Sequence, residues 1–243
     1  MKLTVIGYWG AYPEQESATS CYLLESNGFT CIVDCGSGAL SRLQKYVNLM
    51  DIDAVVLSHY HNDHVADIGV LQYSWLVQNA IHQTEKVLPI YGHAEDQEKF
   101  NDLTHNYTKG MEYDPKNGLE IGPFRFKFQK TSHPAPCYAM RITNGEKTIV
   151  YTADTSYMSN LVSFSEGADL ILAECSFYEH QDGGKAGHMN SKECGELARK
   201  ANVPELILSH LPHFGELNQL VEEVENYYSG DVQLAKEGLT WGD

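Results

Sequence analysis

The stretch Ser58-His59-Tyr60-His61-Asn62-Asp63-His64 limits what this chain can fold into more than any other. It directly follows Asp53-Ala54-Val55-Val56-Leu57, an apolar run that predicts a short buried strand. Four residues that bind or activate metals, His59, His61, Asp63 and His64, therefore fall within six positions of a loop leaving a strand. Such a loop aims several side chains at one point while the sheet behind it stays rigid. A lone histidine is usually a satisfied structural residue. Three histidines with an aspartate at this spacing serve no ordinary core, and the pattern predicts a metal site.

The chain repeats this device. His133 follows a predicted strand at 124–128, Asp154 follows one at 149–151, and His210 follows one at 206–208. Metal-type residues at several strand ends can converge on one rim of a layered fold. Further strands are predicted at 3–6, 20–25, 29–34, 87–91, 138–143, 169–173 and 232–235. Asn27-Gly28 and Asn144-Gly145 mark hairpin turns. Leu40, Leu43, Val47 and Met50 share one face of a predicted helix, and helices are also expected at 65–81, 94–107, 158–166, 191–201 and 216–228. Residues 108–117 read as a loop that overhangs the site. Both halves run from strands into alternating strands and helices. That order predicts an α/β fold of two mixed sheets covered by helices, in four αββα layers, over a single domain spanning 1–243.

Charge and composition narrow the function. The formal net charge of −16 argues against long nucleic acid held by electrostatics. Two divalent cations would return four positive charges at the mouth, so a small anionic substrate or a short nucleic-acid end stays compatible. No apolar run reaches membrane-spanning length and the N-terminus lacks a signal-peptide pattern, which predicts a cytoplasmic protein without membrane contact. The six cysteines form no Cys-x2-Cys pair and read as reduced, structural residues.

On these residues the chain resembles the metallo-β-lactamase superfamily. It carries that family's His-x-His-x-Asp-His as His59, His61, Asp63 and His64, its later ligands as His133, Asp154 and His210, and its early aspartate as Asp34. The resemblance implies two divalent metals, zinc first, with manganese or iron as alternatives. His59, His61 and His133 would hold one metal, Asp63, His64 and His210 the other, and Asp154 would bridge them. A hydroxide shared by the metals would be the nucleophile, with Asp63 also orienting it as a proton acceptor.

Within the superfamily the second half is similar to ribonuclease Z, through Gly187-His188-Met189-Asn190-Ser191 and the helix that follows. That similarity gives His188 a catalytic role at a phosphodiester leaving group. Glu174, at a strand end, is expected to support His188 or a ligand histidine. Asp34 is expected to cap the following helix or to support the metal loop. A homodimer is also implied. The long arm with which ribonuclease Z grips transfer RNA has no room here, because only twenty residues separate His133 from Asp154. The resulting expectation is a metal-dependent phosphodiesterase-like hydrolase for a small nucleotide or RNA end. Hydrolysis of a carboxylic ester, lactone or thioester on the same site is the alternative. A di-iron redox protein and a non-enzymatic metal-binding scaffold are further classes, disfavoured by the histidine-rich, intact ligand set. His82, His93, His105, His180 and His213 read as structural or solvated, and Tyr60 and Asn62 as facing the scaffold.

Overall fold

A computed structural model describes residues 1–243. The chain divides into two compact units. One comprises residues 1–114, 121–123 and 236–243, and the other residues 115–120 and 124–235.

The first unit is built on one seven-stranded mixed sheet. Strands β1 (Lys2–Gly7), β2 (Cys21–Ser26) and β3 (Phe29–Val33) form an antiparallel meander, turned at Asn27-Gly28. Helix α1 (Ala39–Leu43) then leads to β4 (Ala54–Val56). Helices α2 (Asn62–Val65) and α3 (Ile68–His82) lead to β5 (Leu88–Gly92), and α4 (Gln97–Asn101) leads to β6 (Thr108–Glu112). Strands β3, β4, β5 and β6 are parallel neighbours, so their carboxyl ends share one edge of the sheet. Helical crossovers are what parallel strands require. The core beneath them gathers Ile32, Val55, Leu57, Leu71, Trp75 and Ile90.

The second unit repeats the plan. Strands β7 (Leu119–Ile121), β8 (Phe124–Lys130), β9 (Tyr138–Thr143) and β10 (Thr148–Tyr151) lie side by side. Helix α5 (Ser159–Ser165), β11 (Leu170–Glu174), α6 (Ser191–Ala201), β12 (Glu205–Ser209), α7 (Leu217–Glu225) and β13 (Asp231–Leu234) follow. Strands β10 to β13 are parallel and again end on one edge. The chain finishes in the first unit, where β14 (Thr240–Gly242) pairs antiparallel with β1.

Several expected boundaries move. The helix drawn through Leu40 and Met50 stops at Leu43. Asn48 caps a 3-10 turn at Leu49–Asp51, which buries Leu49 in place of Val47 and Met50. The expected helix at 65–81 is broken at Ala66 and Asp67, because Asp67 Oδ2 accepts the backbone N–H of Leu40 and its own N–H goes to the Cys35 carbonyl. Only Gln97–Asn101 is helical within 94–107, capped by Asp96. Residues 108–112, read as a loop, are the edge strand β6. Its sequence TKGME shows no apolar alternation because an edge strand needs little burial. All six cysteines are buried and free of disulfides, as expected.

Candidate metal and hydrolytic centre

In the first unit the motif sits where the parallel strands end. After β3 the backbone of Asp34 turns into the left-handed region, φ 57, and its N–H bonds to the Val56 carbonyl on β4. The Asp34 carboxylate is thereby laid beside the motif and fully buried. It accepts the Ser58 backbone N–H at 2.7 Å, the Ser58 hydroxyl at 2.7 Å and His64 Nδ1 at 2.8 Å. Because Ser58 Oγ gives its one proton to Asp34, it can only accept from His59 Nδ1, 3.1 Å away. Of the two roles expected for Asp34, the support of the loop is the one observed, since Gly38 occupies the N-cap of α1. The His59 ring centroid lies 4.1 Å from that of His64, tilted, and 4.8 Å from that of His61, edge to face. Asp63 Oδ2 lies 3.7 Å from His64 Nε2 and accepts the Ala11 N–H at 2.9 Å. Gly36 is required beside it, because a Cβ there would stand 2.0 Å from the Asp63 carbonyl oxygen.

In the second unit the same edge carries His133, Asp154, Glu174 and His210. Two of these ends also turn left-handed, at Ala153 (φ 50) just before Asp154 and at His210 itself (φ 52). Non-glycine residues seldom adopt this region, and such strain gathers at functional sites. Asp154 Oδ2 lies 3.4 Å from His210 Nε2 and 3.9 Å from His133 Nε2. The first separation matches the ~3.3 Å expected between two donors on one tetrahedral zinc. Glu174, 1% exposed, accepts from four groups. They are the backbone N–H of Thr155 (3.2 Å) and of Met189 (2.9 Å), the Ser176 hydroxyl (2.8 Å) and His188 Nδ1 (3.2 Å). Ser176 Oγ in turn takes His210 Nδ1 at 2.8 Å. His133 Nδ1 meets the Gly187 carbonyl at 3.1 Å. The His188 ring stands 5.3 Å from that of His133 and 5.2 Å from that of His210. Glu174, His188 and His210 also bring their donor atoms within 4.8 Å of one another.

The donor chemistry fits divalent metal ions. His59, His64, His133 and His210 each have Nδ1 held by an oxygen, so the proton sits on Nδ1 and Nε2 would be the ligating nitrogen. The carboxylates are buried in a chain of net charge −16, an arrangement that cations offset. His188 has a shifted imidazole pKa. Burial pushes its pKa down, but the hydrogen bond and charge of Glu174, then the charge of Asp154, outweigh this and raise it above the usual imidazole value.

Two serines, Ser58 and Ser176, were not expected from the sequence; their only signal is a hydroxyl next to, or two residues beyond, a strand-end ligand or carboxylate. Tyr60 does face the scaffold, donating to the His93 carbonyl at 2.6 Å. Asn62 does not: it opens α2 and is exposed. His93 is buried between the rings of Tyr60 and Tyr113, whereas His82 and His180 are exposed.

A family model described as the metallo-beta-lactamase superfamily matches residues 15–227. The probable metallo-hydrolase YhfI of Bacillus subtilis is 51% identical over 99% of both chains. Its crystal structure, described as a metallo-beta-lactamase fold protein, superposes with a TM-score of 0.98 over 99% of this chain and 98% of that one. The expected fold of two mixed sheets flanked by helices therefore stands. Ribonuclease Z of Methanopyrus kandleri is 25% identical over 96% of this chain and 95% of its own length. The human short-form tRNase Z shares the fold, with a TM-score of 0.79 at 19% identity over 100% and 99% of the two chains. No helix of this chain is long and apolar enough to cross a membrane.

Proposed function

Because the chain belongs to the metallo-β-lactamase superfamily, whose members include metal-dependent hydrolases, we propose that it is a dinuclear hydrolase of phosphodiester bonds in a small nucleotide or a short RNA end. In this reading residues 1–243 work as one domain. His59, His61 and His133 hold one divalent cation, Asp63, His64 and His210 hold the other, and Asp154 bridges them. Zinc suits these imidazole and carboxylate donors, with manganese and iron as alternatives. Bound there, the cations would polarise the substrate and provide a nucleophile near neutral pH.

The chain's own residues supply the proton transfers. Asp63 takes the proton of the attacking water. His188 gives a proton from Nε2 to the leaving oxygen, while Glu174 holds its Nδ1. The observation that carries this reading is the contact at 3.2 Å between Nδ1 of half-buried His188 and the carboxylate of buried Glu174. A small substrate is supported by the plain β9–β10 hairpin, which with its turn fills most of the span between His133 and Asp154. A cytoplasmic homodimer belongs to the same reading. Six buried cysteines without disulfides suit a reducing compartment.

The test is an assay of the zinc- or manganese-loaded protein on bis(p-nitrophenyl) phosphate, cyclic nucleotides, a lactone and a thioester. Cleavage of phosphodiesters is expected. His188→Ala should then lower kcat by about 10²–10⁴ while metal content is retained. Opening of the lactone or thioester without any phosphodiester cleavage would overturn the proposal.

A further inference from the structure

In the second unit a row of aromatic rings leads outward from His210. The His188 ring lies 5.2 Å from that of His210, stacked at 21° between planes. The Phe177 ring stands 6.3 Å from that of His188, and the Phe214 ring 6.5 Å from that of Phe177. Exposure rises along the row. His210 is 6% exposed, His188 and Phe177 are half-buried, and Phe214 is 47% exposed. A cluster that only filled space beneath a loop would bury its outer member.

Both phenylalanines are held in place by their surroundings. The loop that carries His188 folds back so that Gly183 meets the Phe177 ring, and a Cβ there would stand 2.5 Å from Phe177 Cδ2. The Gly183 carbonyl accepts the His188 N–H at 3.1 Å, so one residue positions both the ring and the imidazole. The Phe177 carbonyl accepts the Ser191 N–H at 2.9 Å. Tyr178 holds Phe214. Its hydroxyl donates to the Phe214 carbonyl at 3.0 Å, and its ring lies 5.9 Å from the Phe214 ring. The backbone continues into Gly215 at φ 75, where a Cβ would stand 2.5 Å from Tyr178 Oη. An exposed aromatic on a backbone held this way offers a contact face with little left to order on binding.

We propose that Phe177 and Phe214 form a subsite for the flat base of a leaving nucleoside, which stacks on Phe214. This rests on the phosphodiester chemistry proposed above, in which His188 meets the leaving oxygen. The sugar attached to that oxygen then lies along Phe177, and its base reaches Phe214. Three features favour a base over an acyl chain. The row offers ring faces throughout, and every base has a π-face to stack on them. Phe214 is open to water, which suits a base with polar edges and would leave an acyl chain half wet. A base is uncharged, so it can lie against a chain of net charge −16 while the phosphate meets the cations.

Calorimetric titration of adenosine 5′-monophosphate and of ribose 5-phosphate into the zinc-loaded protein tests this. The two ligands differ only in the base, and neither contains a diester bond. The wild type is expected to bind the nucleotide about 10–100-fold more tightly. Phe214→Ala should lose most of that preference with its affinity for ribose 5-phosphate unchanged, and Phe214→Trp should keep it. Phe214 is exposed, and circular dichroism checks that each variant folds. A wild type that binds the two ligands equally, or neither at millimolar concentration, would overturn the subsite. So would a Phe214→Ala variant that keeps the full preference or weakens both ligands alike. A base preference that depends on Phe214, in a protein that cleaves no phosphodiester, would leave the base subsite standing and overturn the proposed reaction alone.

Discussion

Ser58 and Ser176 hold corresponding places in the two units. Each hydroxyl donates to a buried carboxylate, Asp34 or Glu174, and accepts from the Nδ1 of a histidine, His59 or His210. Each carboxylate also takes a second histidine directly, His64 or His188. The chain thus orients four imidazoles with one device used twice. Ser176→Ala should weaken metal binding about 10–100-fold, because His210 loses the acceptor that fixes its ring and tautomer. Competition with a chelator, read by elemental analysis, checks this. An unchanged affinity would show that Ser176 is incidental.

Gly187 does two things at once. Its φ of 84 is left-handed, and a Cβ on it would stand 2.8 Å from His133 Nδ1 and 2.6 Å from Pro134 Cδ. Gly187→Ala should displace His133 and also carry a backbone cost of about 1 kcal/mol or more. The expected phenotype is reduced metal content with a modest fall in Tm, measured by metal analysis and thermal unfolding. Full metal loading in a folded variant would contradict it.

Asp34 is the stronger determinant of stability. Asp34→Ala strips an acceptor from Ser58 N–H, Ser58 Oγ and His64 Nδ1 in a fully buried place. Each unsatisfied buried group costs about 1–3 kcal/mol, so a loss of several kcal/mol is expected. Asp34→Asn keeps an acceptor oxygen and should recover part of it. Chemical denaturation of the two variants beside the wild type ranks them, and equal stabilities would remove Asp34 from this role.

Glu223 links α7 to the loop that carries His188. Its carboxylate accepts the Glu179 backbone N–H at 2.8 Å and the Ser191 hydroxyl at 2.5 Å. Burial pushes its pKa up, but the bonds from Ser191, Glu179 and Gln219, with the charge of His180, outweigh that and hold it below the usual glutamate value. A depressed carboxylate contributes stability above its unfolded pKa of about 4.3, and that contribution disappears as pH falls through the lower folded value. Glu223→Gln should therefore lower Tm at pH 7, and the gap to the wild type should close below about pH 4. Thermal scans across that range decide it. A gap that stays constant with pH would mean that the Glu223 charge is not involved.

Much of this protein is written locally. The hairpins at Asn27-Gly28 and Asn144-Gly145, helix α6 with its Asn190–Glu193 capping box, and the strand-end positions of His59, His133, Asp154 and His210 all follow from apolar period and turn chemistry within a few residues. The His-x-His-x-Asp-His spacing was enough to imply metal and family. Elements that lack a local pattern were missed. The edge strand β6 and the short β14 exist because a neighbouring strand offers hydrogen bonds, and the break before α3 exists because Asp67 is drawn to Leu40.

The sequence by itself determined which side chains carry the chemistry and that they stand at strand ends, since both depend on near neighbours in the chain. Only the tertiary structure decided which nitrogen of His64, His133 and His210 is left for a ligand. That choice is made by groups 30 residues apart for Asp34 and His64, 34 for Ser176 and His210, and 54 for His133 and Gly187. A hydrogen bond acts over about 3 Å in space and is indifferent to distance along the chain, so no reading of local pattern reaches it.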